Sequence, residues 1–278
     1  MAIAHLTLMA VHAHPDDESS STGGVLARYA DEGVRTVLVT CTNGEYGDGP
    51  DHVKPGEDGH NPEQVAKTRL TELDEACRHL GVTHLERLGY HDSGMPDWEY
   101  KDGDHVFCNV PLQESAGRVA ALVEQYRPDV LVTYDGQDGY GHPDHLQAHR
   151  VALEAFRRTG VPKKLYFIAR RRRDWDRLRE RMAAAGVEVP TPRRPEDPEA
   201  LRRMEEREAR ITTTVDVSAV AARKRAALAA HASQLDQSWW VRFPEDAFAE
   251  VFGEETFIRA EDRTGTPVPE DDLFAGLR

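Results

Sequence analysis

The chain has 278 residues, 39% hydrophobic and 30% charged, the balance of a soluble globular protein with room for one generous domain or for a main domain and a smaller one. Asp and Glu outnumber Lys and Arg by 49 to 35, a formal net charge of −14, and that field excludes nucleic acid as a partner. No apolar run reaches the roughly 20 residues of a membrane span, the start lacks a signal-peptide pattern, and Cys41, Cys77 and Cys108 show neither disulfide nor thiolate-metal spacing, so a cytoplasmic protein without membrane contact is expected.

In chain order, residues 6–13 read as a strand buried on both faces, and "STGGVLARYADEG" follows with apolar residues at helical spacing and a glycine stop. "RTVLVTCT" is a second buried strand. The Gly-, Asp- and Pro-rich stretch 43–61 predicts a long loop, of a length that usually carries function or stays disordered. "PEQVAKTRLTELDEACRHLG" begins with Pro, carries the stripe Val65, Leu70, Leu73, Ala76 and Leu80, and closes on Gly81, which predicts a helix. "VTHLERLG", "PDVLVTYD" and "KKLYFIA" read as further strands, separated by the helices "ESAGRVAALVEQY" and "PDHLQAHRVALEAFRR".

This alternation predicts an α/β fold, a Rossmann-like, mainly parallel sheet flanked by helices, over residues 1–170. Beyond it the rhythm changes to charged helices, a Pro- and acid-rich connection at 189–199, the β-like "RITTTVDV" and the helix "SAVAARKRAALAAHASQLD". Residues 171–278 are therefore expected as a smaller C-terminal α+β segment packed beside the sheet. Its Trp239, Trp240 and Phe243 would either roof the site or serve as ordinary core. The cluster "ARRRRDWDRLRER" alternates with acids and reads as a solvated, salt-bridged helix face.

Ligands of parallel α/β sheets bind beyond the carboxyl ends of the strands. "HPDDE" follows the first strand and "YDGQDGYGHPDH" the fourth. Imidazole nitrogen and carboxylate oxygen suit a catalytic zinc with three protein ligands and an open position, and His14, Asp17 and His145 are the expected set, with ferrous iron as the other fitting ion. Spacing leaves His149 open as a ligand, since it lies one helical turn from His145, and His12 open as a partner that fixes an imidazole tautomer. Asp16 is the candidate general base for the attacking water, or else a helix cap. His142 as a histidinium, with Tyr140 beside it and Asp144 orienting its ring, would hold an oxyanion and protonate a leaving amine; the alternative is a loop whose polar residues serve only its turns.

"AHPDDE" with "GHPDH" resembles the LmbE/PIG-L family of metal-dependent N-deacetylases, and "VTCTNGE", "RLTELDEACRHLGV", "HDSGMP" and "AHASQLD" extend the resemblance over most of the chain. The likeness is to the branch acting on mycothiol and its precursor. It implies a zinc-dependent amide hydrolase acting on an N-acyl glucosaminyl-inositol, either as an amidase of mycothiol S-conjugates or as the N-acetylglucosaminyl-inositol deacetylase. It also implies that His14, Asp17 and His145 bind zinc, that Asp16 is the base, that His142 and Tyr140 stabilise the tetrahedral intermediate, and that Asp144 supports His142. Ser21, Asp48, Arg69 and Asp92 are implied as sugar or inositol contacts. The partner is then a small amino-sugar or thiol-conjugate substrate, with a homo-oligomer left open. A nucleotide- or sugar-binding module is the rival of another class, but the first strand leads into HPDDE where GxGxxG would be needed. A phosphoesterase would call for two metals.

Overall fold

The structure, a computed structural model, describes residues 6–136, 141–184, 186, 198–235, 243 and 245–278. Its strands are β1 (Thr7–His12), β2 (Arg35–Thr42), β3 (His84–Tyr90), β4 (Val130–Tyr134), β5 (Lys164–Ala169), β6 (Thr213–Asp216) and β7 (Glu254–Asp262). The helices used below are α1 (Asp17–Ser21), α2 (Gly23–Asp31), α3 (Pro62–Leu80), α4 (Leu112–Tyr126), α5 (Pro143–Thr159), α6 (Arg172–Ala184), α7 (Pro198–Ala209), α8 (Ala221–Ala230), α9 (Ala232–Leu235) and α10 (Glu245–Phe252).

Unbroken apolar runs make the central strands, because a parallel strand covered by helices has no polar face. Leu8, Met9, Ala10 and Val11 of β1 and Val37, Leu38 and Val39 of β2 are all fully buried. The sheet order is β3-β2-β1-β4-β5-β7-β6, with the first five strands parallel. The chain winds outward from β1 through β2 to β3, then returns to lay β4 on the other side of β1. The switch of direction between β1 and β4 opens a crevice at their carboxyl ends. That topology brings the segments after β1 and after β4 together.

Helix ends follow the sequence signals. Asn61 accepts from the Gln64 N–H, Pro62 fills the first turn of α3, and Gly81 closes it at φ 72°. His142 occupies the equivalent cap of α5, ahead of Pro143. Helices α2, α3 and α8 pack on one another and α4 pairs with α5. Among the described residues no helix is long and apolar enough to cross a membrane.

Residues beyond 170, expected beside the sheet, enter it. Strand β7 lies antiparallel against β5, and β6 antiparallel against β7. Buried Glu270 pins these strands together, accepting from Lys164 Nζ at 2.6 Å, Tyr166 Oη at 2.8 Å and Thr213 Oγ1 at 3.0 Å. Val215, Phe257, Leu273 and Phe274 share one core with Leu8 and Val37. A second cluster joins Leu178 and Met182 of α6, Leu228 of α8, and Phe243, Phe248 and Val251. Phe243 is thus core, edge-on to Phe252 at 5.8 Å. Trp239, Trp240 and residues 189–197 lie outside the described residues. The basic cluster carries surface pairs as expected, such as Arg181 with Glu250.

Candidate metal centre

Three side chains converge at the switch point. His14 follows β1, Asp17 opens α1, and His145 lies in the first turn of α5. His14 Nδ1 is 3.3 Å from Asp17 Oδ2, and His145 Nε2 is 3.4 Å from Asp17 Oδ1. The two imidazoles face different oxygens of the one carboxylate, and one ligand atom from each of the three residues lies within 4.8 Å of the others. The three can offer ligand atoms to one ion, and all three residues are buried. The set is imidazole and carboxylate without thiolate, a donor chemistry that suits a divalent transition metal. Burial disfavours the charge on Asp17, but His145 and His14 hold its pKa well below the usual carboxylate value.

Asp17 is held from behind. The Tyr134 hydroxyl, at the end of β4, donates to Asp17 Oδ2 at 2.7 Å and accepts from the Ala13 N–H at 2.7 Å. The Tyr134 ring stacks on His145 with centroids 4.1 Å apart. The His14 N–H adds a 2.9 Å bond to Asp17 Oδ2. Nothing in the sequence marked Tyr134; an aromatic at the end of a central strand beside the crevice was the signal available.

Asp16 has φ 103°, a left-handed conformation that costs a residue with a side chain about 1–3 kcal/mol. It stands at the N-cap of α1 and makes no side-chain cap bond, which answers the capping alternative. Its N–H donates to Glu18 Oε2 at 3.0 Å. On its other side Arg69, 5% exposed, donates to Asp16 Oδ2 at 3.0 Å and to the Pro15 carbonyl at 2.6 Å. Burial raises the Asp16 pKa to about 6 against the lowering pull of Arg69, with Asp17 adding to the rise. A carboxylate so poised can take a proton from water near neutrality and give it back.

Asp144 departs from expectation. Its carboxylate meets His14 Nε2 at 3.2 Å and accepts from the Ser93 N–H at 2.9 Å and the Ser93 hydroxyl. It therefore orients His14, leaving Nδ1 of that ring toward Asp17. It is the Asp144 backbone N–H that engages His142, donating to Nδ1 at 3.2 Å as a helix cap. His142 was expected as a histidinium. Burial, with His14 and His145 alongside, pushes its pKa down to about 3. With Nδ1 accepting from the Asp144 N–H, a neutral ring carries its proton on Nε2 and donates from there. The His142 ring lies edge-on to His14 at 4.5 Å. Tyr140 lies outside the described residues.

Asp92 is buried, with Oδ1 3.6 Å from His14 Nε2 and accepting from the Gly94 N–H. Burial is overcome by the lift from Asp92, Asp144 and Asp17, so the His14 pKa stands well above the usual imidazole value. Asp92, Asp144, His142 and His14 form a second group able to approach one ion, overlapping the first at His14. Arg69 spends its described bonds on Asp16, Pro15 and Gly44. Asp48 lies in the long loop, paired with Lys54 at 2.6 Å. Ser21 lines a small cavity with Ser20, Ile168, Ala169, Leu178 and Phe252.

The open histidines resolve. His149 bonds the Tyr134 carbonyl at 2.9 Å and sits against Phe167, outside the metal group. His12 is within bonding distance of the Tyr134 hydroxyl and of Thr22, so it supports Tyr134 and not an imidazole. The nucleotide alternative fails at α2, where a phosphate would seat. There Glu255 accepts from the Gly24 and Val25 N–H groups at 2.8 Å each, filling the helix N-terminus with the chain's own carboxylate.

Known proteins resemble this chain in sequence and in fold. The chain is 39% identical over 250 residues to a 1D-myo-inositol 2-acetamido-2-deoxy-alpha-D-glucopyranoside deacetylase of Thermobifida fusca, covering 82% of this chain and 83% of that protein. It is 35% identical over 294 residues to a mycothiol S-conjugate amidase of Streptomyces coelicolor, covering 98% of each. Among solved structures, the N,N'-diacetylchitobiose deacetylase of Pyrococcus horikoshii superposes with a TM-score of 0.62 at 16% identity, over 92% of this chain and 84% of that one. A 4-carboxy-2-hydroxymuconate hydratase reaches 0.62 at 17% identity, over 94% of this chain and 99% of its own, so the fold alone does not choose the reaction. The model described as PIG-L, GlcNAc-PI de-N-acetylase, matches residues 9–156, more than half of the chain and the span holding both HPD segments, and the chain belongs to that family.

Proposed function

We propose that the chain is a zinc-dependent amide hydrolase that removes the acyl group from the glucosamine nitrogen of an N-acyl glucosaminyl-inositol, with a mycothiol S-conjugate as the favoured substrate. The observation that carries this reading is the convergence of His14, Asp17 and His145, with ligand atoms within 4.8 Å of one another, and the carboxylate of Asp16 next along the chain. Zinc suits the donors, as would ferrous iron, and when bound such an ion polarises the amide carbonyl and acidifies the attacking water.

The chain's own residues do the rest. Asp16, with its pKa near 6, takes the proton from water as it attacks the carbonyl carbon. Neutral His142 offers Nε2–H to the oxyanion that develops, with Tyr140 as the second donor that the family resemblance implies. Because His142 has no proton to spare near neutrality, Asp16 returns its proton to the glucosamine nitrogen as the C–N bond breaks. Tyr134 and Asp144 hold Asp17 and His14 in place. Ser21 and Asp48 are retained as substrate contacts, while Asp92 and Arg69 gain roles in orienting His14 and Asp16. The free cysteines fit work in a reducing cytoplasm.

A second reading keeps the mechanism and makes the acyl group acetyl; it is favoured by the similarity to the Thermobifida fusca deacetylase. Metal analysis of the purified protein, followed by competition between N-acetylglucosaminyl-inositol and a fluorescent mycothiol S-conjugate, tests both. The expected result is one zinc per chain and faster turnover of the conjugate. Turnover of the acetyl substrate alone would select the second reading, and full activity after complete metal removal would overturn both.

A further inference from the structure

The motif "AHASQLD" is not used by the chemistry above, yet three of its side chains reach the site from the far end of the chain. His231, fully buried between α8 and α9, donates from Nε2 to Glu18 Oε1 at 2.7 Å. The other oxygen of Glu18 accepts the N–H of Asp16. Ser233 donates from its N–H and its hydroxyl to Glu72, each at 2.7 Å, and Glu72 sits one helical turn past Arg69 on α3. Gln234 brackets the backbone of one residue of the long loop: Oε1 accepts from the Asp48 N–H and Nε2 donates to the Asp48 carbonyl, both at 3.0 Å. A side chain at Gly47 would collide with Gln234 at 2.5 Å, so the loop is shaped to admit it.

We infer that His231, Ser233 and Gln234 form a clasp of positioning residues, His231 fixing Asp16 through Glu18, Ser233 fixing the helix that carries Arg69, and Gln234 fixing the loop on the substrate side. The strained backbone of Asp16 persists only when its surroundings over-determine it. Glu18 on its amide and Arg69 on its carboxylate and on the preceding carbonyl supply that constraint, and Glu18 is itself held by His231. Without His231, Glu18 Oε1 keeps only the hydroxyl of its chain neighbour Ser19, which moves with it, so Glu18 loses its tie to the far segment and the base loses its register with the attacked carbon. A small misplacement of a catalytic group costs about a hundredfold in rate. Gln234 touches no reacting group, so its loss loosens the loop and weakens substrate binding.

The clasp rests on the reading of Asp16 as the base, and the test separates the two. Steady-state hydrolysis of N-acetylglucosaminyl-inositol and of a fluorescent mycothiol S-conjugate is compared for the parent, D16N, H231L, H231Q and Q234A. Each variant is also titrated with zinc, and its metal-free form is followed by amide hydrogen exchange. H231L is expected to lose about ten- to hundredfold in kcat with KM nearly unchanged. Q234A is expected to raise KM about three- to tenfold with kcat nearly unchanged. Both should bind one zinc as the parent does. Exchange should quicken around residues 16–21 in H231L and around 46–50 in Q234A. H231Q, which keeps a donor of similar reach, should recover most of kcat and covers the case in which H231L does not fold. If D16N is fully active, the reading of the base fails. If D16N is inactive while H231L and H231Q keep parental kcat, or if exchange quickens across the whole chain in H231Q and Q234A, the clasp is overturned and the base stands.

Discussion

Replacing Tyr134 by Phe removes one oxygen from behind the metal centre and leaves the ring that stacks on His145. Three contacts vanish: the bond given to Asp17 Oδ2 and the one accepted from the Ala13 N–H, both 2.7 Å, and the longer 3.3 Å contact with His12 Nδ1. A hydrogen bond to a charged acceptor contributes about 1.5–3 kcal/mol. A partner that orients a metal ligand is worth about ten- to hundredfold in metal affinity, and since tenfold is about 1.4 kcal/mol the two scales agree. The buried Ala13 N–H, left without its acceptor, adds about 1–3 kcal/mol to the destabilisation of the metal-free protein. A total of about 2.5–6 kcal/mol lowers its melting temperature by about 5–24 °C. Zinc competition against a chromogenic chelator reads the affinity, and calorimetry of metal-free protein reads the stability. Zinc affinity within twofold of the parent would refute the claim that Tyr134 sets Asp17 for the metal, whatever happens to the melting temperature.

Two further outcomes follow from the pKa shifts. Asp16 rises from 3.8 to about 6 on folding, so the native state binds the extra proton between those values and loses stability as pH rises through that window. In metal-free protein, Asp16→Asn should therefore raise stability at pH 7 by about 1–3 kcal/mol, with the gain gone by pH 4, while abolishing hydrolysis; Asn also tolerates the left-handed backbone. Melting curves at both pH values check this, and a variant less stable than the parent at pH 7 contradicts it. His14 holds a proton above the usual imidazole range but must be neutral to bind metal. Zinc binding at pH 7 should release about one proton, and affinity should fall about tenfold per unit of falling pH. Calorimetric titration in buffers of different ionisation enthalpy measures the release; a count of zero would mean that His14 is not displaced from its carboxylates.

Local patterns carried much of this protein into view. Unbroken apolar runs named the central parallel strands β1, β2, β4 and β5, because strands covered on both faces have no polar side to show. Asn61, Pro62 and Gly81 bounded α3, because helix ends need caps whatever the fold around them. The HPD segments named His14, Asp16, Asp17 and His145, since ligands of a buried cation must be imidazoles and carboxylates and such groups are costly elsewhere in an interior.

What escaped the one-dimensional reading depended on distance in the chain. Whether Asp144 faced His142 or His14 was a matter of which ring the start of α5 is turned toward, and only the packing of α5 against β1 and the Ser93 turn decided it. Tyr134 reads as any aromatic in a strand until the β1–β4 pairing sets its hydroxyl against Ala13 and Asp17. Strand β7, with Arg259, Glu261 and Asp262 among its residues, does not look like part of a buried sheet; it is one because β5 offers it an open edge and Glu270 gathers the charges behind it. His231 and Glu18 are 213 residues apart, and no periodicity links them. Residue types state which chemistry an interior can tolerate, but the partner that each polar group meets is chosen when distant segments close on one another, because only there is water excluded and each bond obliged to form.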